Sequence, residues 1–445
     1  MKFNPNIFKA YDIRGLSPQE LNPPVAYAIG RALADHLPGG VVAVGWDMRA
    51  DSRALAEAII SGLVKQDREV ISLGLITSDM MYYAVGSLGL AGGAMVTASH
   101  NPGKYDGIKL TGEGVVPIGI DSGLLEIEQE IEADQYKKAV ETGKVTQKNI
   151  LNSWVEHAVK LSGDRFKSLK IGLDAGNGMA AILVPPLQQL TPLKIDGLFL
   201  ELDGSFPNHL ANPALPENTK DLQKLVVENN LDCGLAFDGD ADRVFLIDER
   251  GNWISASKIG AILAKYFLHL DPGGTILGNV IVSNIVPDVV QQNGGKFIRT
   301  KVGHSFIKAD MRDHNAIFAC EASGHFYFRD NYFADSGLLA ALTVLHIMSQ
   351  AEKPLSALVA ELNGSYFDSG EMNFDAKDKA ATIGRVKAQF TDGQVSELDG
   401  LSVNFSDWWF NLRPSNTEPV LRLNVEATNQ GLLEQKVNEL TSLIK

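Results

Sequence analysis

Short apolar runs alternate with helix-patterned stretches along most of this chain. That alternation confines it to layered α/β architecture. Val41-Val42-Ala43-Val44 precedes a helical pattern over 53–65, and strand-like runs follow at 69–73 and 94–96. A second series opens at Lys170-Ile171-Gly172-Leu173-Asp174 and continues through Leu235-Ala236-Phe237 to 244–247. A third opens at Thr275-Ile276-Leu277 and includes Lys296-Phe297-Ile298 and Ala316-Ile317-Phe318. Sheets built this way present ligands at the carboxyl ends of their strands. The tail differs: strand-like runs at 371–374, 402–405 and 420–425 mix with helical patterns at 377–390 and 432–444, a small α+β unit. Polar stretches at 147–152, 248–252 and 363–369 mark boundaries, so the expected domains are 1–149, 150–250, 251–364 and 365–445. The three series read as a loose repeat without a repeated signature.

At 445 residues the chain exceeds one core. Its net charge of −14, with no Lys/Arg run, argues against nucleic acid as a partner. An acidic chain still binds small phosphates where its cations are focused in one place. No stretch reaches the ~18 apolar residues of a membrane span, and the opening Met1-Lys2-Phe3-Asn4-Pro5 has no apolar signal core. The expectation is a cytoplasmic protein without a membrane partner, a monomer or weak homo-oligomer. Cys233 and Cys320 sit in apolar contexts and read as buried small hydrophobes rather than a disulfide or zinc ligands.

Thr97-Ala98-Ser99-His100-Asn101-Pro102 follows the apolar run Ala94-Met95-Val96. A strand leading into a proline-fixed polar turn holds one hydroxyl rigidly, and no carboxylate lies inside the hexapeptide to repel an anion. The plainer reading is an Asn-Pro loop with capping Ser and Thr. Asp238-Gly239-Asp240-Ala241-Asp242-Arg243 follows Gly234-Leu235-Ala236-Phe237 and places three carboxylates at alternate positions in a turn. Such a cluster repels itself without a cation, and hard oxygen donors suit Mg²⁺ or Ca²⁺. An EF-hand loop begins similarly, and Glu249 falls at its twelfth position. Its sixth position, though, is Arg243 where glycine is required, and Val244-Phe245-Leu246-Ile247 reads as a strand. A solvated acidic turn is the remaining alternative. Arg243 beside the turn supplies a fixed charge for a phosphate.

Further donors are scattered along the chain. In Phe8-Lys9-Ala10-Tyr11-Asp12-Ile13-Arg14-Gly15, Tyr11 and Arg14 are either core and surface groups or cleft partners for a phosphate; spacing leaves this even. Arg413-Pro414-Ser415-Asn416-Thr417-Glu418-Pro419 interrupts two strand-like runs and offers several donors to one phosphate, unless it is a plain hairpin connection. Glu321-Ala322-Ser323-Gly324-His325 places a carboxylate and a hydroxyl two residues apart, a grip for sugar hydroxyls, while His325 also reads as a satisfied buried histidine. Lys301-Val302-Gly303-His304-Ser305 opens a helical pattern over 306–311, and Asp106-Gly107-Ile108-Lys109 adds a cation soon after Ser99. There is no G-x-x-x-x-G-K-[ST] loop, no G-x-G-x-x-G fingerprint and no G-x-S-x-G elbow. Ser99 therefore lacks acyl-transfer surroundings, and the metal turn and arginines point to phosphoryl transfer.

Taken in order, residues 8–15, 97–102, 238–243, 301–308, 321–325 and 413–419 resemble the α-D-phosphohexomutase superfamily, specifically its bacterial phosphomannomutase/phosphoglucomutase group. The resemblance covers essentially the whole chain. It implies three related α/β domains with mixed sheets plus a smaller α+β C-terminal domain around a central cleft. It further implies a reaction interconverting hexose 1-phosphate and hexose 6-phosphate, of mannose, glucose or both, through a phosphoserine and a hexose 1,6-bisphosphate. By resemblance Ser99 is the phosphoserine, and Asp238, Asp240 and Asp242 hold Mg²⁺ together with the Ser99 phosphate. Arg413, Ser415, Asn416 and Thr417 then bind the non-transferring phosphate, and Glu321 and Ser323 recognise ring hydroxyls. Tyr11, Arg14, His100, Asn101, Lys109, Arg243, Lys301, His304 and His325 line the site. Acid–base work falls to Lys109 or His325, with Arg14 nearby. Two departures stand out. Cys320 replaces a usual Gly and is expected to restrict the backbone before Glu321. Ile281 falls where some relatives carry a substrate-contacting Lys, in an expected strand before Ser283. Alternatives are a phosphoglucosamine mutase, from which Asn416 leans away, a metal-dependent phosphatase, and a non-catalytic sugar-phosphate sensor.

Overall fold

A computed structural model describes residues 3–445 apart from 140, 164, 363, 365 and 416–419. Three sheets repeat one strand plan. In the first, Val42–Trp46 lies between Val70–Leu75 and Gly92–Val96, parallel to both, and Tyr105–Gly112 adds antiparallel to Gly92–Val96. In the second, Lys170–Asp174 lies between Lys194–Leu198 and Cys233–Phe237, parallel to both, with Val244–Asp248 antiparallel beyond. In the third, Thr275–Asn279 lies between Lys296–Thr300 and Phe318–Cys320, with Phe326–Phe328 antiparallel beyond. The loose repeat in the sequence is thus a repeat of topology. The middle strands are buried along nearly their whole length because helices cover both faces, whereas the edge strands Lys194–Leu198 and Lys296–Thr300 are more polar and partly exposed.

The fourth strand in each sheet turns back antiparallel, so a tight loop sits at the carboxyl end of the third strand. Residues 97–104, 238–243 and 321–325 are these loops. The repeated plan therefore brings the serine turn, the triple-aspartate turn and the Glu321–His325 turn to equivalent places. One apolar cluster joins the three sheets and includes Met81, Trp154, Leu235, Phe318 and Leu342. Helix Gly337–Ala351 is buried on nearly every side. Its N-cap Ser336 accepts from Leu339 N at 3.0 Å and donates to Asp79 Oδ2 at 2.6 Å, tying the third unit to the first.

The tail forms a separate sheet around Trp408–Pro414 and Val420–Ala427, with its own core of Phe410, Leu412, Leu423 and Leu440. It meets the third unit where Asn284 N donates to Glu426 Oε1 at 2.9 Å, an oxygen that the tail's own Trp409 Nε1 also holds at 2.6 Å. Both cysteines are free and buried. The structure places both sequence departures and corrects the strand expected at Ile281. Cys320 ends an ordinary strand, and the left-handed φ of 92° falls on Gly324 instead. Its sulfur packs on Gly260, where a Cβ would lie 2.8 Å from Sγ. Ile281 lies in the turn after strand Thr275–Asn279, not in a strand. Likewise the run at 316–318 becomes strand only at Phe318–Cys320, because Ala316 N still caps the preceding helix on Met311 O. Among the described residues no helix is long and apolar enough to cross a membrane.

Candidate active site

Ser99 leaves strand Gly92–Val96 in the left-handed region, at φ 51°. Its amide donates to Thr97 Oγ1 at 2.9 Å, which closes the turn. Its hydroxyl donates to Asp238 Oδ2 at 2.7 Å and stands 3.1 Å from His100 Nδ1. The aspartate turn comes this close because residue 239 is glycine: a Cβ there would lie 2.4 Å from the Ser99 carbonyl oxygen. The left-handed residue of the aspartate turn is Ala241, at φ 63°. Gly239 therefore serves close approach rather than turn geometry.

Asp238, Asp240 and Asp242 are fully buried, and one carboxylate oxygen of each lies within 4.8 Å of the others. Lys109 Nζ, from the strand antiparallel to the serine strand, donates to Asp240 Oδ2 and Asp242 Oδ2, both at 2.6 Å. Burial works against the Lys109 charge, but the two carboxylates outweigh it and hold its pKa well above the ordinary value. Asp242 is held well below its usual range, because Lys109 and His325 overcome its burial. Asp238 lies farther from the lysine, and burial plus the charges of Asp240 and Asp242 push it well up. Asp240 Oδ1 and Asp242 Oδ1 are buried without a hydrogen-bond partner. Three hard oxygen donors and two orphaned oxygens fit a divalent cation.

His325 reaches the same cluster from the third unit. Its Nε2 lies 3.3 Å from Asp242 Oδ1 and 3.2 Å from Arg243 Nε, and its Nδ1 lies 3.1 Å from Ser323 Oγ and 3.5 Å from Glu321 Oε1. Glu321 is fixed on both oxygens, accepting from Asn279 Nδ2 at 2.9 Å and Tyr327 OH at 2.5 Å. Arg243 Nε stands 3.7 Å from Asp238 Oδ2. Arg14 donates to Asn101 Oδ1 and pairs with Asp12. Tyr11 donates to Val302 O at 2.9 Å, and its ring packs edge-on against His304. Both His304 ring nitrogens are buried without a partner, and burial, then Lys308 and Lys109, pushes its pKa well below the ordinary value. Burial also pushes His100 well down, with Arg243 and Arg14 adding to it. Lys301 is exposed, with Nζ 5.4 Å from the Phe306 ring centroid.

The tail residues form their own group. Arg413 is buried, and its Nη2 donates to Glu371 Oε2 at 3.0 Å; Ser415 N donates to Val420 O at 2.9 Å. Asn416 and Thr417 lie outside the described residues. Val302 N of the third unit donates to Asp399 Oδ2 of the tail at 2.9 Å.

Sequence reasoning passed over four residues of this assembly. Ser78 Oγ donates to Asp240 Oδ2 at 2.6 Å. Lys308 pairs with Asp335 at 2.7 Å in full burial, and Asp335 Oδ2 lies 3.8 Å from His325 Nε2. Arg49 grips the serine turn from behind. The signal for Arg49 was available: Asp47-Met48-Arg49 follows an apolar strand at its carboxyl end, as the other site loops do.

Four domain families match in chain order. They are phosphoglucomutase/phosphomannomutase alpha/beta/alpha domain I over residues 5–138, domain II over 151–251, domain III over 255–366 and the C-terminal domain over 371–442. The chain belongs to the phosphoglucomutase/phosphomannomutase family. It is 40% identical over 443 residues to the phosphohexose mutases of Xanthomonas campestris pv. campestris, covering 98% of this chain and 99% of that one. It is 39% identical over 448 residues to the phosphomannomutase of Salmonella typhimurium, covering 98% of each. A phosphoglucomutase/phosphomannomutase family protein from Burkholderia thailandensis superposes with a TM-score of 0.91 at 30% identity, covering 100% of this chain and 98% of that one. The Aspergillus fumigatus N-acetylphosphoglucosamine mutase, solved with GlcNAc-6P and magnesium, shares the fold, with a TM-score of 0.62 at 13% identity over 98% of this chain and 95% of that one. The family's enzymes are isomerases that interconvert hexose 1- and 6-phosphates, and this chain is one of them. The phosphoglucosamine mutase and sensor readings are not favoured.

Proposed function

We propose that Ser99 carries the phosphoryl group and that Asp238, Asp240 and Asp242 hold Mg²⁺ beside it. The observation that carries this reading is the 2.7 Å approach of Ser99 Oγ to Asp238 Oδ2 within the three-carboxylate cluster. Bound there, Mg²⁺ neutralises charge on the phosphoryl oxygens. In the forward half-reaction the bond between phosphorus and Ser99 Oγ breaks. A bond forms to the free hydroxyl of a hexose phosphate, giving hexose 1,6-bisphosphate. After the bisphosphate turns over, its other phosphoryl group returns to Ser99, and the isomer leaves. Arg243 and Arg14 flank the transferring group, while Arg413, Ser415, Asn416 and Thr417 grip the distal phosphate. Glu321, Ser323, Tyr11, Asn101, Lys301 and His304 contact the sugar and its second phosphate.

The proton leaving the sugar hydroxyl goes to the His325 ring. Lys109 is held protonated by two carboxylates and so makes a poor base. Arg243 Nε donates to His325 Nε2 at 3.2 Å, which supports the tautomer whose Nε2 is the acceptor and whose Nδ1–H faces Ser323 and Glu321. His100 beside Ser99 keeps a neutral ring that tolerates the incoming anion. The substrates are the 1-phosphates of mannose and glucose, as the names of the relatives suggest. The test is to incubate the protein with Mg²⁺ and glucose 1,6-bisphosphate and map the phosphorylated peptide. Label on any residue other than Ser99 sinks the assignment. Mannose and glucose 1-phosphate assayed side by side then rank the sugars.

A further inference from the structure

We infer that Arg49 is a positioning residue for the phosphoryl-carrying serine: its guanidinium locks the 97–105 turn so that Ser99 Oγ is aimed at the carboxylate cluster. The inference rests on the reading of Ser99 as that carrier. A guanidinium has five N–H donors, and here all five are taken by the protein. Nε donates to Asp47 Oδ2 at 3.2 Å. Nη1 donates to Pro102 O at 3.1 Å and Tyr105 O at 2.9 Å. Nη2 donates to Ser99 O and Asn101 O, both at 2.7 Å. No donor is left for a substrate, so Arg49 does not bind phosphate. Three backbone carbonyls of the turn and that of Tyr105, the first residue of the next strand, converge on one fork, and the turn has no sheet ladder of its own to satisfy its carbonyls.

Ser99 is the residue most in need of this support. A serine at φ 51° sits where L side chains are disfavoured, and such a conformation persists only where its surroundings impose it. Its carbonyl is gripped on one side by Arg49 Nη2 and backed on the other by Gly239. Arg49 is itself anchored. Asp47 Oδ1 accepts from Arg49 N at 3.0 Å and from Ser52 Oγ at 2.7 Å. The Phe206 ring, 5.1 Å from the guanidinium carbon, covers it from the second unit. Residue 204 is glycine against the Arg49 backbone, where a Cβ would lie 2.6 Å from the Arg49 Cα. The side chain is 1% exposed. The serine turn is therefore held by one unit's arginine under another unit's cover.

The experiment compares wild type, Arg49→Lys and Arg49→Ala with glucose 1-phosphate, Mg²⁺ and saturating glucose 1,6-bisphosphate. A lysine keeps the charge but cannot fork to four carbonyls. For Arg49→Lys we expect kcat to fall about a hundredfold with KM within threefold. For Arg49→Ala, millimolar methylguanidinium should recover at least tenfold of the lost kcat. An Arg49→Lys enzyme with kcat within threefold of wild type, or one whose loss lies in KM, overturns the inference. If neither variant folds, Gly204→Ala displaces Arg49 without touching Ser99 or the carboxylates. There a kcat loss of fivefold or more at unchanged KM supports the inference, and unchanged kcat overturns it. Peptide mapping of the wild type separates the two readings: no label on Ser99 removes the carrier, whereas a labelled Ser99 with a fully active Arg49→Lys removes only the arginine's role.

Discussion

Ser99 Oγ donates to Asp238 Oδ2 at 2.7 Å, although 139 positions separate them in sequence. The contact joins the serine turn of the first sheet to the aspartate turn of the second. Both turns lie where a third, parallel strand gives way to a fourth, antiparallel one. The proposed phosphoryl chemistry needs a hydroxyl next to a carboxylate cluster, and the contact sets the Ser99 hydroxyl there.

Replacing that oxygen should therefore remove turnover rather than affinity. Ser99→Ala is expected to lower kcat by about four orders of magnitude with KM changed only a few-fold. Steady-state kinetics with hexose 1-phosphate and catalytic bisphosphate measure both, and a mass shift on the serine peptide should vanish. Retained turnover removes Ser99 from its role.

Lys109 is the protein's own counter-ion for the cluster, at 2.6 Å from both Asp240 and Asp242. Lys109→Met removes the ammonium that bridges those buried carboxylates, and losing one partner of a buried pair costs about 3–5 kcal/mol. Urea unfolding should report a loss of that order. Added Mg²⁺ should restore more stability to the variant than it adds to wild type, because the cation then replaces the missing charge. Equal Mg²⁺ responses in the two proteins argue against a shared site. Chelation with EDTA is expected to abolish wild-type activity and Mg²⁺ to return it.

Asp106 gives a pH signature away from the metal cluster. Its Oδ2 and Asp47 Oδ1 share the single proton of Ser52 Oγ, at 2.8 and 2.7 Å. One more proton is needed, and burial, then the Asp47 charge, pushes Asp106 up to about 7. The unfolded chain loses this proton near pH ~4, whereas the folded chain keeps it up to about pH 7. Between those values the folded state binds more protons, so this contribution to stability falls as pH rises and levels off above 7. Asp106→Asn places an amide donor where the protonated oxygen stood. Its stability should be close to wild type at pH 5 and higher at pH 8, by up to a few kcal/mol. Denaturation midpoints across that range check this, and parallel curves for the two proteins contradict it.

Residues 97–102 and 238–243 were legible because each packs its chemistry into one short turn after an apolar run. Their local spacing survives folding unchanged, and the tail arginine at 413 is legible for the same reason. Ser78, Lys308 and Asp335 were not, because their meaning lies in distant partners, whereas Arg49 stood in a readable place after an apolar strand without showing the carbonyls it would grip. Ser78 matters through Asp240, 162 positions away, and Lys308 becomes a buried ion only when Asp335 returns beside it. Glycine roles were legible only in part. Gly239 read as a turn residue, but the tight backbone angle fell on Ala241, and the glycine is required by the Ser99 carbonyl. Sequence spacing reports local conformation, while close approach between units is set by tertiary packing. The three-sheet repeat showed only as a loose one for a similar reason: it is a repeat of strand order and direction, with no repeated residues to mark it.

Glu371 bridges two arginines that face each other across a strand pair. Its Oε2 accepts from Arg413 Nη2 at 3.0 Å, and its Oε1 pairs with Arg422 Nη1 at 2.9 Å. Arg413 and Arg422 are directly opposed in register, where like charges repel unless an anion lies between them. A substrate phosphate offers that same anion in larger charge and with more acceptor oxygens. Glu371 therefore both holds the arginines ready and competes for them. Glu371→Gln should lower KM for the hexose phosphate several-fold and reduce stability in phosphate-free buffer by about 1 kcal/mol, the Glu371 carboxylate being about one-third exposed. Inorganic phosphate should restore that stability. Arg413→Lys loses the planar fork and should raise KM by roughly tenfold or more, with a smaller effect on kcat. Calorimetric titration of each variant with hexose phosphate measures the two shifts, which must be opposite in sign. A KM that rises in both variants would show that Glu371 only braces the strands and does not compete with the ligand.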